Sequence, residues 1–290
     1  MHSLSDRIKA VIWSALLSSL ISIFGAGVWI FLISTNLSLT PTIPWSFPTM
    51  ALVLWLMWQY LGGRGWPRST SDSRRAYLRS NRVSGQKLVW ALIAGVLSII
   101  ALAGFWIVLV ELVGVGGNPT IPDYSRYPHV LVILGLLTGS LVSPITEEAA
   151  FRGYAQVRLE RVFSAVPAIL ISSVLFAFWH GPTQGFVWSK LLFYFVVGLS
   201  FGTTAYLTNS SLPAIPAHIL GDVTFFFFIW PHDAARPLVW RDGANLSFWL
   251  FVAQAVIFGV LAILAYRRLR KITLNSMEPD VNSTLETQNP

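Results

Sequence analysis

Apolar stretches of about 20 residues recur along this chain, and a stretch of that length crosses a hydrocarbon layer of about 30 Å as a helix. Eight can be marked, at 10–33, 44–61, 88–113, 129–150, 165–180, 188–207, 212–230 and 247–266. In lipid the backbone polar groups must be satisfied within a spanning segment, and runs of this length satisfy them as helices. The predicted fold is therefore all-α, a polytopic membrane helix bundle of about eight transmembrane helices. The second, fourth and fifth spans are the shortest or are interrupted, the second by Pro48. Composition agrees: 54% of the 290 residues are hydrophobic and 11% charged, against about 25% charged in soluble domains. A water-soluble enzyme is excluded, since such a chain would expose more apolar surface than a soluble fold of this size can hide.

The net charge of +7 and pI near 10 do not indicate nucleic acid, because the basic residues lie between the apolar runs. With eight crossings, Arg7, Lys9, the segment 64–87, Arg152, Arg158, Arg161 and the stretch 267–271 fall on one side. That side holds 16 of the 20 Lys and Arg, leaving Arg126, Lys190, Arg236 and Arg241 opposite. The positive-inside rule then puts both termini in the cytoplasm, in the plasma membrane if the protein is bacterial. Gly25-Ala26-Gly27 could pass for a signal-peptidase site, but the apolar run continues to Ile33, so the first helix is expected to be retained. The segment 64–87 carries seven basic residues against Asp72 alone, which suits a cytoplasmic loop or a short amphipathic helix on anionic headgroups. The absence of cysteine excludes disulfides, Cys-ligated zinc and a thiol nucleophile. The chain divides into N-terminal helices over 1–128, a core over 129–232, a last helix within 233–271 and a polar, disordered tail over 272–290.

An ionisable side chain inside a span costs at least a few kcal/mol on insertion scales, so each one asks for a partner or a function. Glu111, Glu147, Glu148, Arg152, His180, His218 and Asp222 are in or near spans. On an α-helix at about 100° per residue, Glu147, Glu148 and Arg152 share one face. Glu148 and Arg152 are an i, i+4 pair in the favourable order, which leaves Glu147 without a cation on its own helix. Two adjacent carboxylates cannot both ionise cheaply in low dielectric, which suits the less compensated one to general-base chemistry. Phe176 and His180 stand one turn apart, as do His218 and Asp222. Bringing the three patches together would satisfy groups that hydrocarbon leaves unpaired. Glu111, near a helix end, is expected to reach the interface, and His232 to lie in an exterior loop. Gly135-x-x-x-Gly139 and Gly198-x-x-x-Gly202 read as helix-packing patterns. Ser200, inside an apolar helix, lacks the strand-turn-helix setting of a nucleophile elbow.

The sequences Glu147-Glu148-Ala-Ala-Phe-Arg152, Phe176-Ala-Phe-Trp-His180 and His218-Ile-Leu-Gly-Asp222 resemble the three motifs of the CPBP family, the CAAX-protease and bacteriocin-processing (Abi) membrane proteins. The resemblance implies an intramembrane endopeptidase acting on a peptide or protein, in a family that includes enzymes trimming prenylated CAAX proteins. It implies that Glu147 activates water with the help of His180. His218 and the group at Asp222 would line the site and stabilise the oxyanion, with Glu148 and Arg152 supporting the geometry. Where the family has Asn or Asp, this chain has Asp222, and an ionised Asp is acceptor-only. Asp222 must therefore stay protonated, orient His218 as a donor, or belong to a metal shell. Family proteins are often labelled metalloproteases. Zinc would take Glu147, His180 and His218 and keep an open position for water, whereas a Glu-His site needs no metal, and both remain open.

There is no His-Glu-x-x-His, and Asp222 is the only Asp in any span, so neither a zincin helix nor an aspartyl dyad can be built. The competing readings are a noncatalytic membrane protein, such as a bacteriocin self-immunity factor or scaffold, and a small-solute carrier, since carriers also bury such groups. The partners expected are a peptide or protein, prenylated or not, and membrane lipid. The position of Glu147 beside the loop from Arg152 to Arg161 leads one to expect the scissile bond from the cytoplasmic side.

Overall fold

The computed structural model describes residues 2–114 and 127–276, so Arg126 and the tail beyond 276 lie outside the described residues. Helices account for nearly all of it, with no strand among the described residues. We number them α1 (Leu4–Leu39), α2 (Ser46–Leu61), α3 (Ser71–Leu78), α4 (Gly85–Val113), α5 (His129–Glu160), α6 (Ala165–Gln184), α7 (Trp188–Thr208), α8 (Ala214–Ala235), α9 (Val239–Asp242) and α10 (Leu246–Asn275). Seven of these, all but α2, α3 and α9, are long and apolar enough to cross a membrane. The eighth expected span is α2, with 16 residues. It runs back along α1 and returns the chain to the end it started from, where the Tyr154 hydroxyl of α5 donates to the Leu61 carbonyl at 2.9 Å. The chain is an integral multi-pass membrane protein. Large apolar side chains such as Phe31, Leu16, Trp249 and Val256 are more than half exposed along the helices, which is stable against lipid and a liability in water.

Local sequence sets the helix ends. Ser3 and Asp6 form a reciprocal capping box at the start of α1, and Asn245 caps α10 by accepting from the Phe248 N–H. Gly104 lets α10 approach α4 closely, since a Cβ there would meet the Phe251 carbonyl at 2.8 Å. Gly198 and Gly202 bring α7 against Ser173 of α6 and Gln156 of α5, the packing role expected of that pattern. The aromatic centre of the bundle is Trp106, Phe193, Phe225 and Trp230.

Most of the basic segments converge on one end. Arg79 makes a two-pronged pair with Glu160 at 3.0 and 2.7 Å, and Arg161 donates to the Tyr77 hydroxyl. Arg7 lies over Phe163, Arg268 over Trp90, and Asn81 bonds to the Asn209 carbonyl. Thus the start of α1, the segment around α3, the α5–α6 turn and the last turns of α7 and α10 share that end. Arg152 does not join them. The segment 64–87 contains the short helix α3, with Arg74 over the Tyr60 ring.

Candidate active site

The site begins where α5 changes pitch. Pro144 sits inside the helix without an N–H to give, and from Glu148 to Ala155 the backbone winds as a π-helix. Such wider turns recur at functional sites. The adjacent carboxylates serve different partners. Glu147, the last residue before the π turn, accepts the Ser143 hydroxyl through Oε1 at 2.9 Å. Its Oε2 is buried without a hydrogen bond, 3.9 Å from His180 Nε2 and 3.8 Å from His218 Nε2. Glu148, fully buried, takes His218 Nδ1 at 2.9 Å through Oε1 and faces Arg152 Nε at 3.4 Å through Oε2. Asp222 Oδ1 stands 3.6 Å from His218 Nε2. Three helices therefore bring Glu147, Glu148, Arg152, His180, His218 and Asp222 into one cluster.

Each ring is held from behind. His180 Nδ1 faces the Phe176 carbonyl at 2.9 Å; a carbonyl only accepts, so Nδ1 carries a proton and donates it, leaving Nε2 turned toward Glu147. The Phe176 ring meets His180 edge-on at 4.7 Å and carries the Arg152 guanidinium 4.1 Å over its face. One aromatic residue thus positions both a histidine and an arginine. His218 stacks on Phe201 at 4.7 Å. His180 stacks on Tyr194 with ring centroids 3.7 Å apart and 14° between planes. Tyr194 and Phe201 were not singled out by sequence reasoning. In a chain with 14% aromatics, neither had a signal to separate it from packing residues.

A cavity of about 630 Å³ leads to this cluster. Glu147, His180, His218, Asp222 and Phe201 line its inner part, Trp29, Ile33, Leu131 and Phe226 its walls, and Leu37, Tyr127, Gln184 and Trp230 its outer part. Helix α1 is therefore part of the wall. The outer residues lie at the end of the bundle opposite the basic segments. On the basic side of the cluster, Phe151, Glu148, Arg152 and Gln156 are all at most 1% exposed and close the way through. The cavity therefore runs from the cluster toward the end opposite the Arg158–Arg161 turn.

The donor types suit zinc, since two imidazole Nε2 atoms and a carboxylate face one another. Among the described residues no three His, Asp or Glu side chains are set to hold one metal ion. Other titratable groups lie elsewhere. Glu111 is buried near the end of α4, 3.8 Å from Arg236, which also pairs with Asp233 at 3.1 Å. His232 is exposed, and the Ser200 hydroxyl bonds to the Tyr266 hydroxyl at 2.8 Å, away from the cluster.

The class these features define is a polytopic membrane protein with carboxylates and histidines enclosed among its helices. Residues 129–224, about a third of the chain, match the family model of type II CAAX prenyl endopeptidase Rce1-like proteins, and the resemblance to the CPBP family stands on that match. It supports CAAX-type intramembrane protease function at the level of the family. Neither the curated proteins nor the solved structures gave a match.

Proposed function

We propose that this protein is an intramembrane endopeptidase that cleaves a membrane-associated peptide or protein with water activated by Glu147. The observation that carries the reading is the unbonded Glu147 Oε2, facing His180 Nε2 and His218 Nε2 at 3.9 and 3.8 Å at the inner end of a cavity. A water placed in the cavity to one side of the line joining Glu147 Oε2 and His180 Nε2, 3.9 Å apart, reaches both at ordinary hydrogen-bond length. Glu147 removes its proton as the oxygen attacks the peptide carbonyl carbon, and His180 orients that water. His218 has Glu148 at Nδ1 and Asp222 and Glu147 about Nε2, a setting for a ring protonated on both nitrogens. Its Nε2–H then donates to the tetrahedral oxyanion. The C–N bond breaks as the proton held by Glu147 passes to the departing amine.

Asp222 acts in this scheme by orienting His218, not by donating itself. Asp222→Asn is accordingly expected to retain hydrolysis, whereas Asp222→Leu, which removes the polar partner of Nε2, lowers it; turnover by the purified variants measures the difference. No step runs through a metal. The purified protein, stripped with a chelator and assayed on a library of apolar peptides with and without a prenyl group, is expected to keep its turnover. Loss of turnover on chelation with return on adding zinc would assign Glu147, His180 and His218 to a metal. No cleavage of any peptide would favour a noncatalytic scaffold or immunity role. The apolar walls suit an apolar or lipid-modified substrate. By the positive-inside rule the basic end, with both termini, faces the cytoplasm. The exposed arginines around α3 there would rest on anionic lipid headgroups, with no role for nucleic acid.

A further inference from the structure

Tyr194 brings to the cluster a hydrogen-bond donor that no side chain or carbonyl takes up. It stands in the second turn of α7, a helix that carries none of the three motifs and meets the cluster only through packing. Its ring covers one face of His180, with 3.7 Å between centroids and 14° between planes, and meets the Phe176 ring edge-on at 6.4 Å. Tyr194 also lines the cavity, with Glu147, His180, His218 and Asp222. Its hydroxyl is electrostatically coupled to Asp222 and Glu147, so the phenol end belongs to the cluster as much as the ring does.

The hydroxyl is unusual for its degree of burial. Tyr154 and Tyr194 are equally buried, each 6% exposed. Tyr154 donates to the Leu61 carbonyl at 2.9 Å, whereas Tyr194 has no hydrogen bond to any described residue. Burying a hydroxyl without an acceptor is unfavourable, and a phenylalanine would stack on His180 equally well. Packing therefore accounts for the ring and leaves the hydroxyl without a role in the resting site. The reaction supplies the missing acceptor. In the scheme above the oxyanion has one donor, His218 Nε2–H, because an ionised Asp222 can only accept. A phenol is protonated at neutral pH and can donate, and a donor fixed in advance where charge develops is worth most in a site that excludes water.

We propose that Tyr194 is a further catalytic residue, whose hydroxyl donates to the tetrahedral oxyanion beside His218 Nε2–H. As the water oxygen bonds to the peptide carbon, its proton passes to Glu147 and the carbonyl π pair moves onto oxygen. Tyr194 stabilises that oxygen by a hydrogen bond and transfers no proton. Stacking on His180 fixes the direction in which the phenol points, so one side chain positions the histidine and serves the oxyanion. The proposal rests on the endopeptidase reading and adds a donor to it.

Tyr194→Phe keeps the ring and its stacking and removes only the hydroxyl. The full-length variant and its parent are compared on the peptide that the parent cleaves fastest in an apolar library. They are also compared for inhibition by the phosphinic analogue of that peptide, whose tetrahedral P–O⁻ stands where the oxyanion forms. The expected result is a kcat lower by about 10²-fold, the smaller end of the range for one oxyanion donor. KM is expected to stay within about twofold and the thermal midpoint to stay unchanged. Inhibition by the analogue should weaken by about the factor that kcat/KM loses, since both report binding of the tetrahedral state. A variant that cleaves as fast as its parent overturns the proposal and leaves the endopeptidase reading intact. A raised KM at unchanged kcat also overturns it, because the hydroxyl would then hold the bound substrate and the transition state alike. So does a lower kcat with undiminished inhibition by the analogue, or an unfolded variant, which would give the hydroxyl to the fold. A parent that cleaves no peptide overturns the endopeptidase reading, and the role of Tyr194 with it.

Discussion

Glu147→Gln is expected to lower peptide hydrolysis by about 10²–10⁴-fold, the range a positioned general base contributes, while leaving the bundle folded. The substitution keeps shape and volume, and the new amide oxygen still accepts the Ser143 hydroxyl that Oε1 holds at 2.9 Å. What it removes is the ability to take a proton at the atom that faces both imidazoles. Because Glu147 Oε2 has no hydrogen bond in the resting site, no hydrogen bond is lost with it. Turnover of a cleavable apolar peptide, read beside the thermal unfolding midpoint of the same preparation, separates the two effects. A variant that unfolds like the parent and cleaves as fast would remove Glu147 from the chemistry. A scaffold or carrier would show no catalytic loss, since its requirement at this position would be polarity alone. His180→Ala is a less clean probe, because it also deletes the stacking on Tyr194 at 3.7 Å and opens space at the inner cavity.

The helices were legible in the sequence because a lipid-spanning chain has few ways to satisfy its backbone, and long apolar runs report that directly. The cluster was legible for a related reason: a charge in hydrocarbon needs a partner, so Glu147, Glu148, Arg152, His180, His218 and Asp222 stood out against apolar neighbours. The pairing within it was only partly legible. Spacing gives Glu148 with Arg152 and His218 with Asp222, each four apart. The shortest contact, His218 Nδ1 to Glu148 Oε1, joins residues 70 apart in the chain and depends on how α8 packs on α5. The π-helix from Glu148 to Ala155 left no mark in periodicity. Tyr194 and Phe201 were hidden for the opposite reason: in so apolar a chain, an aromatic ring that holds a histidine looks like any other. The direction in which the cavity runs was not legible, because charge order along the chain records which end a loop occupies and says nothing of which interior gaps are filled.

The same pairing predicts the largest effect on stability. Arg152→Met leaves Glu148 buried with the His218 ring at 2.9 Å as its remaining cation; breaking a buried pair from one side costs about 3–5 kcal/mol, and with His218 still in place the loss is expected toward the lower end of that range. The site offers little relief: Glu148 is 0% exposed and Arg152 1%, and no water can screen a carboxylate so enclosed. Methionine retains most of the packing against Phe176, so the loss is electrostatic in the main. Glu148→Gln alone should also destabilise, by stranding Arg152, but the guanidinium keeps the Phe176 face at 4.1 Å, so the cost should be smaller. The double variant, Glu148→Gln with Arg152→Met, removes both charges and is expected to regain a large part of the loss, because a buried pair contributes far less net stability than either half costs when stranded. Unfolding of all four proteins in mixed micelles gives the coupling energy, expected in the range of about 0.5–3 kcal/mol for residues in contact. Additive losses would mean that the two side chains act independently and that Arg152 is held by aromatic faces alone. The double variant should still hydrolyse poorly despite its regained stability: His218 would keep an acceptor at Nδ1 in the new amide but lose the carboxylate that holds its second proton. Recovery of folding without recovery of turnover would separate the role of this pair in holding the bundle from its role in setting His218 as the donor.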